Sequence, residues 1–260
     1  MSSRIILVGG FAGGAGRTLT AALLAHGLHL LGQPAVLVRQ THVGSVSIVD
    51  PIESALRVPC HELRLPDPYL LPADMDLGLK TLIHNRDERF MAALDELAQA
   101  IVGPDGNVVV DLCGHAQAMN RAALSEAAII LLPARESVFE IDWSLRAATH
   151  VRESLHNPHM AIPTLIAAIA PDNRRTSQEA LLGRMLRESD PDHEIWPDDP
   201  MEVVVPVPFL DEVTLQDLYD EKPIWDDPAF QHRCQAFAQT ILGQASSETD
   251  RLWDLAHDAY

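Results

Sequence analysis

Short runs of apolar residues, four to six residues long, alternate along the chain with longer amphipathic segments. Runs this short that are apolar at nearly every position are typical of strands buried on both faces of a sheet. The pattern predicts strands at Ile5–Val8, Ala35–Val38, Asn107–Leu112, Ala128–Leu132, Thr164–Ile169 and Glu202–Val205. Strands of this kind are expected in a mainly parallel sheet with both faces covered.

Segments with helical spacing of apolar residues separate these runs. Helices are predicted over residues 19–31, Asp87–Val102, Met119–Glu126, Val138–Leu155, Ser177–Glu188, Asp211–Tyr219 and Asp227–Leu242. The alternation of strands and helices predicts right-handed βαβ crossovers. The expected fold class is therefore α/β, a three-layer sandwich whose mainly parallel, twisted sheet is flanked by helices.

Residues 41–76 interrupt the alternation, because prolines recur there and break any long element. This segment is expected to form a surface excursion and not a strand of the central sheet. The sequence contains no internal repeat and no linker long enough to separate two domains. It predicts one domain over residues 1–245 and an acidic C-terminal tail over residues 246–260, which has the apolar spacing of a short helix.

The charge balance of the chain restricts its partners. The 37 acidic residues against 19 basic ones give a formal net charge of −18. Non-specific DNA binding needs a basic face, because its affinity comes largely from Lys and Arg that displace counterions. DNA is therefore a disfavoured partner, although a local patch of Arg174, Arg175, Arg184 and Arg187 would be compatible with it, and a protein partner or large complex is favoured.

Neither a membrane span nor a secretory leader is apparent in the sequence. No 18-residue stretch is continuously apolar, and no basic region precedes Ile5. The cysteines Cys60, Cys113 and Cys234 are far apart and form no CxxC pair, as in a reduced compartment. The sequence thus predicts a cytoplasmic protein without membrane attachment.

The first strand, a glycine-rich loop and an apolar helix follow one another between Arg4 and Leu31. This is the layout of a phosphate-binding P-loop, in which backbone N–H groups and the helix N-terminus hold the anion. We therefore expect the loop backbone, followed by Arg17 and Thr18, to hold phosphates; the loop residues are Gly13, Gly14, Ala15 and Gly16. In P-loop proteins a Thr hydroxyl and an Asp at the end of a neighbouring strand support Mg²⁺, and Thr18 and Asp111 fit those roles.

The segment Ala12–Thr18 resembles the deviant Walker A loop, KGGxGK[ST], of the ParA/MinD group of partitioning and positioning ATPases. The resemblance continues in order through Gly32–Gln40, Val108–Gly114, Leu124–Pro133, Leu165–Asn173 and Pro206–Pro223. It implies a P-loop NTPase-like fold, ATP or ADP with Mg²⁺ as cofactors, and a homodimer that acts on a cargo. It also implies that Asn173 and Pro206 lie near the adenine.

The chain departs from this family at its most characteristic positions. The signature lysine falls at Ala12 and the loop lysine at Arg17, while the two acids of a DxD motif fall on Arg39 and Thr41. Arginine keeps the charge of lysine but is planar and bulkier, so the exchange in a close-fitting loop is not conservative. Because phosphoryl transfer depends on positioning and charge neutralisation, these losses predict weak or absent ATP hydrolysis.

The leading hypothesis is a nucleotide-binding protein that dimerises to position, partition or recruit a cargo or protein complex, with at most a weak ATPase activity. A second hypothesis is an inactive pseudo-ATPase that serves as a scaffold or adaptor in a secretion, polysaccharide-synthesis or plasmid-maintenance system. A third, an ATP-dependent ligase or reductase-like enzyme, lacks identifiable substrate residues.

Three further features of the sequence are interpreted without a catalytic role. Cys113 is interpreted as a buried thiol, and the histidines are not expected to form a zinc site. The acidic stretch Asp190–Asp199 is interpreted as a solvated loop, with a docking site for a basic partner as the alternative.

Overall fold

The computed structural model describes residues 3–10, 16–42, 56, 58–65, 90–112, 126–155, 164–190, 196, 199–220 and 224–258. Seven strands lie within this part of the chain, β1 to β7 in chain order: Arg4–Val8, Ala35–His42, Cys60–Leu65, Asn107–Leu112, Ile129–Ala134, Thr164–Ala168 and Val204–Pro206. They form a single sheet in the order β3-β2-β4-β1-β5-β6-β7. Every pairing between neighbours is parallel, which confirms the predicted sheet.

Strand β3 corrects the expectation that residues 41–76 contribute nothing to the sheet. It pairs with β2 in parallel, from Leu37 opposite Cys60 to His42 opposite Leu65. Three of the six residues of this segment, CHELRL, are polar, which an edge strand tolerates because it needs no apolar side chains on both faces. Pro59 and Pro66 flank this strand, so the prolines delimit it and do not exclude it.

The described helices are α1 to α6 in chain order: Arg17–Leu30, residues 90–101, Val138–Leu155, Asp172–Ser189, Glu212–Tyr219 and Pro228–Asp258. Short 3₁₀ turns lie at Pro200–Val203 and Ile224–Asp226. Helix α4 begins five residues before the predicted Ser177, directly after Pro171, which occupies its N-cap position. The predicted helix Met119–Glu126 lies, apart from Glu126, outside the described residues.

Two apolar layers enclose the sheet. On one face, alternate strand residues such as Val8, Leu37 and Val109 pack with α1 and α6. On the other face, the intervening residues such as Leu7 and Val110 pack with α2, α3 and α4. This helix–sheet–helix arrangement is the three-layer α/β sandwich that the sequence predicts.

Helix α6 is a single helix of 31 residues and contains the predicted domain boundary at residues 245 and 246. Its first half packs on α1, with Phe230, Cys234 and Ala238 fully or almost fully buried in the shared core. None of the helices in the described part of the chain is both long and apolar enough to cross a bilayer.

Candidate functional site

The start of helix α1 is shaped by Gly16, which precedes the helix in a left-handed conformation with φ 86° and ψ 17°. A Cβ atom at this residue would lie 2.7 Å from Cδ1 of Ile169, which follows strand β6. The Gly16 carbonyl accepts a hydrogen bond from the Thr20 N–H at 2.8 Å, which begins the helix. Glycine is favoured here by the backbone conformation, and any larger residue would also require the terminal methyl group of Ile169 to move.

The first turn of α1 provides a favourable position for an anion. Within the described residues, no side chain caps the helix, and its first turn contains no acidic residue. The first N–H groups of a helix lack intrahelical partners, and the helix dipole places partial positive charge at this end. The site contributed by Gly16, Arg17 and Thr18 therefore has the chemistry of a phosphate-binding helix start.

Arg17 connects α1 to the ends of two central strands. Its Nη1 atom donates to the carbonyl of Leu112, the last residue of β4, at 3.0 Å. The same atom donates to the carbonyl of Gly10, just after β1, at 3.3 Å. The guanidinium thus lies at the carboxyl edge of the sheet, where ligands bind in open α/β folds.

Asp111 occupies the next-to-last position of β4, and its side chain is 5% exposed. Burial raises the pKa of its carboxyl group, and this effect exceeds the opposing effects of a hydrogen bond from the Thr18 side chain and of the charges of Arg17 and Arg39. The predicted pair Thr18 and Asp111 is therefore in contact. The guanidinium groups of Arg17 and Arg39 lie close enough to Asp111 for their charges to act on its carboxyl group.

Arg39 is the nearby residue whose contact the sequence analysis missed. It stands directly opposite Asp111 in the parallel register of β2 and β4, with Nε 4.0 Å from Oδ2 of Asp111 and its side chain 8% exposed. Sequence comparison identified Arg39 only as the position of a missing acid. The usable signal was register, because both residues come at the carboxyl ends of predicted strands and such ends meet at one edge of a parallel sheet.

Gln40, the next residue of β2, lies on the opposite face of the sheet because successive strand side chains alternate. It is fully buried, and its amide nitrogen and oxygen have no hydrogen-bond partner among the described residues. The second of the three residues aligned with the DxD motif is thus buried away from Asp111.

The remaining predicted site residues fall into two groups. Asn173 is exposed in the first turn of α4, and Pro206 is the exposed last residue of β7, so both lie at the carboxyl edge of the sheet. Gly13, Gly14 and Ala15 lie outside the described residues, as do Ala12 and Cys113. The adenine contacts expected of Asn173 and Pro206 stay predictions.

The expected magnesium site can be tested against the donors that surround Asp111. Mg²⁺ prefers an octahedral set of oxygen ligands, usually one or two carboxylates with water and phosphate. Among the described residues, Asp111 has the Thr18 hydroxyl as a further oxygen donor, but Arg17 and Arg39 also act on it with positive charge. No group of three or more His, Cys, Asp or Glu side chains in this part of the chain could hold a metal ion. These surroundings do not fit a divalent cation.

Comparison with known proteins identifies the fold through structure and not through sequence. No protein-family model matches the chain, and no curated protein matches it. Solved structures do match. The MinC:MinD cell division complex of Aquifex aeolicus aligns with a TM-score of 0.57 at 13% identity, over 92% of this chain and 96% of the other.

Two further solved structures extend this similarity. The ParA of pNOB8 bound to nonspecific DNA aligns with a TM-score of 0.55 at 12% identity, over 94% of this chain and 99% of the other. A Cyanothece McdA variant in complex with ATP aligns with a TM-score of 0.50 at 12% identity, over 93% of this chain and 97% of the other. At these identities the similarity concerns the fold. The chain therefore has the ParA/MinD-like α/β fold of these MinD, ParA and McdA structures.

Proposed function

We propose that this protein binds an adenine nucleotide at the start of α1 and dimerises to position, partition or recruit a cargo or protein complex, with weak or absent ATP hydrolysis. The observation that carries the proposal is the uncapped first turn of α1, where Gly16 is left-handed and Arg17 and Thr18 lie beside the end of β4. The ParA/MinD-like fold supports it, since a McdA variant with this fold is an ATP complex.

Weak hydrolysis follows from the charges beside the expected phosphate position. Arg39 stands where the resemblance places a carboxylate, and it faces Asp111. A cation can neutralise phosphate oxygens, but a guanidinium that is always protonated cannot orient a water as a carboxylate does. We therefore expect this chain to bind ATP but to hydrolyse it slowly or not at all.

The pseudo-ATPase scaffold is the second candidate, and one contact favours it. Arg17 donates to the backbone carbonyls of Gly10 and Leu112, which makes it a structural link between α1, β1 and β4. If Arg17 serves only as this link, the protein keeps the fold of a nucleotide-binding protein but binds no nucleotide.

A protein partner is favoured over DNA by the surface of helix α3. Val138, Phe139 and Trp143 are 52%, 79% and 48% exposed, and they lie within the first two turns of that helix. Exposed apolar side chains that cluster in this way are typical of contact surfaces. Two of the similar structures are assemblies, MinD with MinC and ParA with DNA, which makes a partner reasonable for this fold.

Thermal unfolding with ATP, with ADP and without nucleotide tests the proposal, each with and without Mg²⁺. A ligand at ten times its Kd adds about 1.4 kcal/mol to the stability of the folded state. For a chain of this size that corresponds to about 3–5 °C in Tm. The Arg17→Ala variant should lose the nucleotide-dependent shift, whereas Arg184→Ala, which removes an exposed arginine of α4, should retain it.

Phosphate release measured on the same samples separates the two candidates. A shift in Tm with little or no phosphate release supports the proposal. The absence of any shift with millimolar ATP or ADP, in either metal condition, contradicts it and favours the scaffold. In the Arg17→Lys variant an increased hydrolysis rate would assign the defect to the arginine, and an unchanged rate would assign it to the missing carboxylates.

A further inference from the structure

The residues around Asp111 have an arrangement of charge that is opposite to that of a metal site. One buried carboxylate lies within reach of two cations, Arg17 and Arg39, and receives a hydrogen bond from Thr18. The adjacent helix start contributes further partial positive charge. The described side chains of this site thus provide more positive than negative charge before any ligand binds.

Backbone register fixes Arg39 in this position. Strand β2 continues to His42, so Arg39 lies inside a strand and not in a loop that could move away. Its neighbours across the sheet are Asp111 on β4 and Glu62 on β3. Neighbouring strands are about 4.8 Å apart, so the backbones of the two acidic residues are separated by about 10 Å with Arg39 between them.

We propose that the site binds the polyphosphate of a nucleoside di- or triphosphate as a metal-free anion, with Arg39 and Arg17 supplying the positive charge that Mg²⁺ would otherwise bring. This inference rests on the proposed nucleotide binding and specifies the form of the ligand. Guanidinium groups suit this role because their planar N–H donors match phosphate oxygens. A divalent cation in the same place would be repelled by both arginines.

The test measures binding of ATP and of ADP to the full chain by titration calorimetry, in EDTA and in 10 mM Mg²⁺. Magnesium bound to the nucleotide cancels two of its negative charges. ATP should therefore bind about tenfold more weakly in Mg²⁺ than in EDTA. Equal or tighter binding in Mg²⁺ overturns the inference and leaves the nucleotide-binding proposal standing. No binding in either condition overturns both.

Variants at Arg39 give a second measurement that does not depend on turnover. The addition of Mg²⁺ without nucleotide should raise the Tm of the Arg39→Asp variant. This variant should bind ATP only in the presence of Mg²⁺. Arg39→Gln removes the charge without adding an acid and keeps the test valid if Arg39→Asp fails to fold. It should lose about tenfold in metal-free ATP affinity.

Arg184→Asp is the matched control for these variants. It makes the same change of charge at an arginine that is 64% exposed and lies 4.0 Å from a carboxylate, Glu188, on helix α4. The Arg184→Asp variant should bind ATP with the affinity of the unmodified chain, and Mg²⁺ alone should leave its Tm unchanged. If Arg39→Gln binds metal-free ATP with unchanged affinity, Arg39 does not take part and the inference fails.

Discussion

Gly16 combines two requirements that no other residue type meets. Its φ of 86° lies in the left-handed region, and a Cβ atom would be 2.7 Å from Cδ1 of Ile169. The first requirement concerns the backbone of the turn into α1, and the second concerns the packing of this turn on the chain that follows β6. Because both depend on the same missing Cβ, the backbone conformation of the turn and its packing cannot be altered separately at this residue.

The Gly16→Ala variant should therefore lose both stability and nucleotide binding. A left-handed conformation costs a residue with a Cβ about 1–2 kcal/mol, and the displacement of the Ile169 methyl group adds to this cost. Gly32→Ala is the control, since Gly32 has a φ of 70° and no atom within 4 Å of a built Cβ. Chemical denaturation should show the larger loss for Gly16→Ala. Equal losses would mean that Ile169 moves aside without cost.

At the scale of secondary-structure elements, helices α1 and α6 pack closely on each other over one face of the sheet. Gly27 of α1 faces the backbone of α6, where a Cβ atom would lie 2.2 Å from the Cys234 carbonyl oxygen and 2.9 Å from Cβ of Ala238. The neighbouring rings of His26, Trp225 and Phe230 extend this interface, with His26 and Trp225 edge to face at 4.7 Å between centroids. The two helices are thus in contact at their backbones.

Gly27→Ala should destabilise the protein by about 1–3 kcal/mol, because the atoms that a Cβ would meet belong mainly to backbone and cannot rotate away. Gly243→Ala provides the contrast within α6, where a Cβ would meet nothing within 4 Å. There the better helix propensity of alanine should leave stability unchanged or raise it by up to about 1 kcal/mol. Denaturant midpoints with unchanged m-values give both results. A neutral Gly27→Ala would show that α6 can shift on α1.

At the scale of the whole molecule, acidic side chains lie beside most of the arginines that were considered as a DNA-binding patch. Arg174 pairs with Glu136 at 3.1 Å, Arg175 with Asp172 at 3.1 Å, and Arg184 lies 4.0 Å from Glu188. Three of the four arginines of that patch therefore have a carboxylate beside them. Together with the net charge of −18, this pairing leaves little positive field for a nucleic acid backbone.

We therefore expect no binding of this chain to a labelled DNA duplex in 150 mM salt at protein concentrations up to about 100 µM, the weak end of ordinary non-specific binding. Fluorescence anisotropy measures this directly, with and without ATP. Repeating the titration at lower salt is the control, because phosphate contacts would strengthen steeply there. A saturable, strongly salt-dependent signal would contradict the expectation and would show that this chain binds DNA.

The sequence predicted the elements whose own side chains are sufficient to specify them. Strand Asn107–Leu112 and helix Val138–Leu155 have the predicted bounds, because a doubly buried strand and a long amphipathic helix are determined by local pattern. Strand Cys60–Leu65 was missed since it depends on backbone pairing with β2 and is not a continuous apolar run. Local pattern contains no information about such pairing.

The same distinction applies to the candidate site. Arg17, Thr18 and Asp111 could be named from the order of strand, loop and helix, and the structure brings them together. The contact of Arg39 with Asp111 requires the register of two strands about seventy residues apart in the chain, and the contact of Gly16 with Ile169 requires the packing of α1 on the end of β6. Both contacts are part of the tertiary structure. The sequence therefore showed that Arg39 replaces an acid but not which residue it contacts.

The buried pair of Arg39 and Asp111 also restricts the order in which mutations can accumulate in this lineage. A substitution that removes Asp111 first leaves a guanidinium that cannot lose its proton beside a second arginine. A substitution that removes Arg39 first leaves a carboxyl group that burial already favours in its neutral form and that can take up a proton. Changing Arg39 before Asp111 should therefore cost less folding stability than the reverse order, although it removes a charge that the proposed nucleotide site uses.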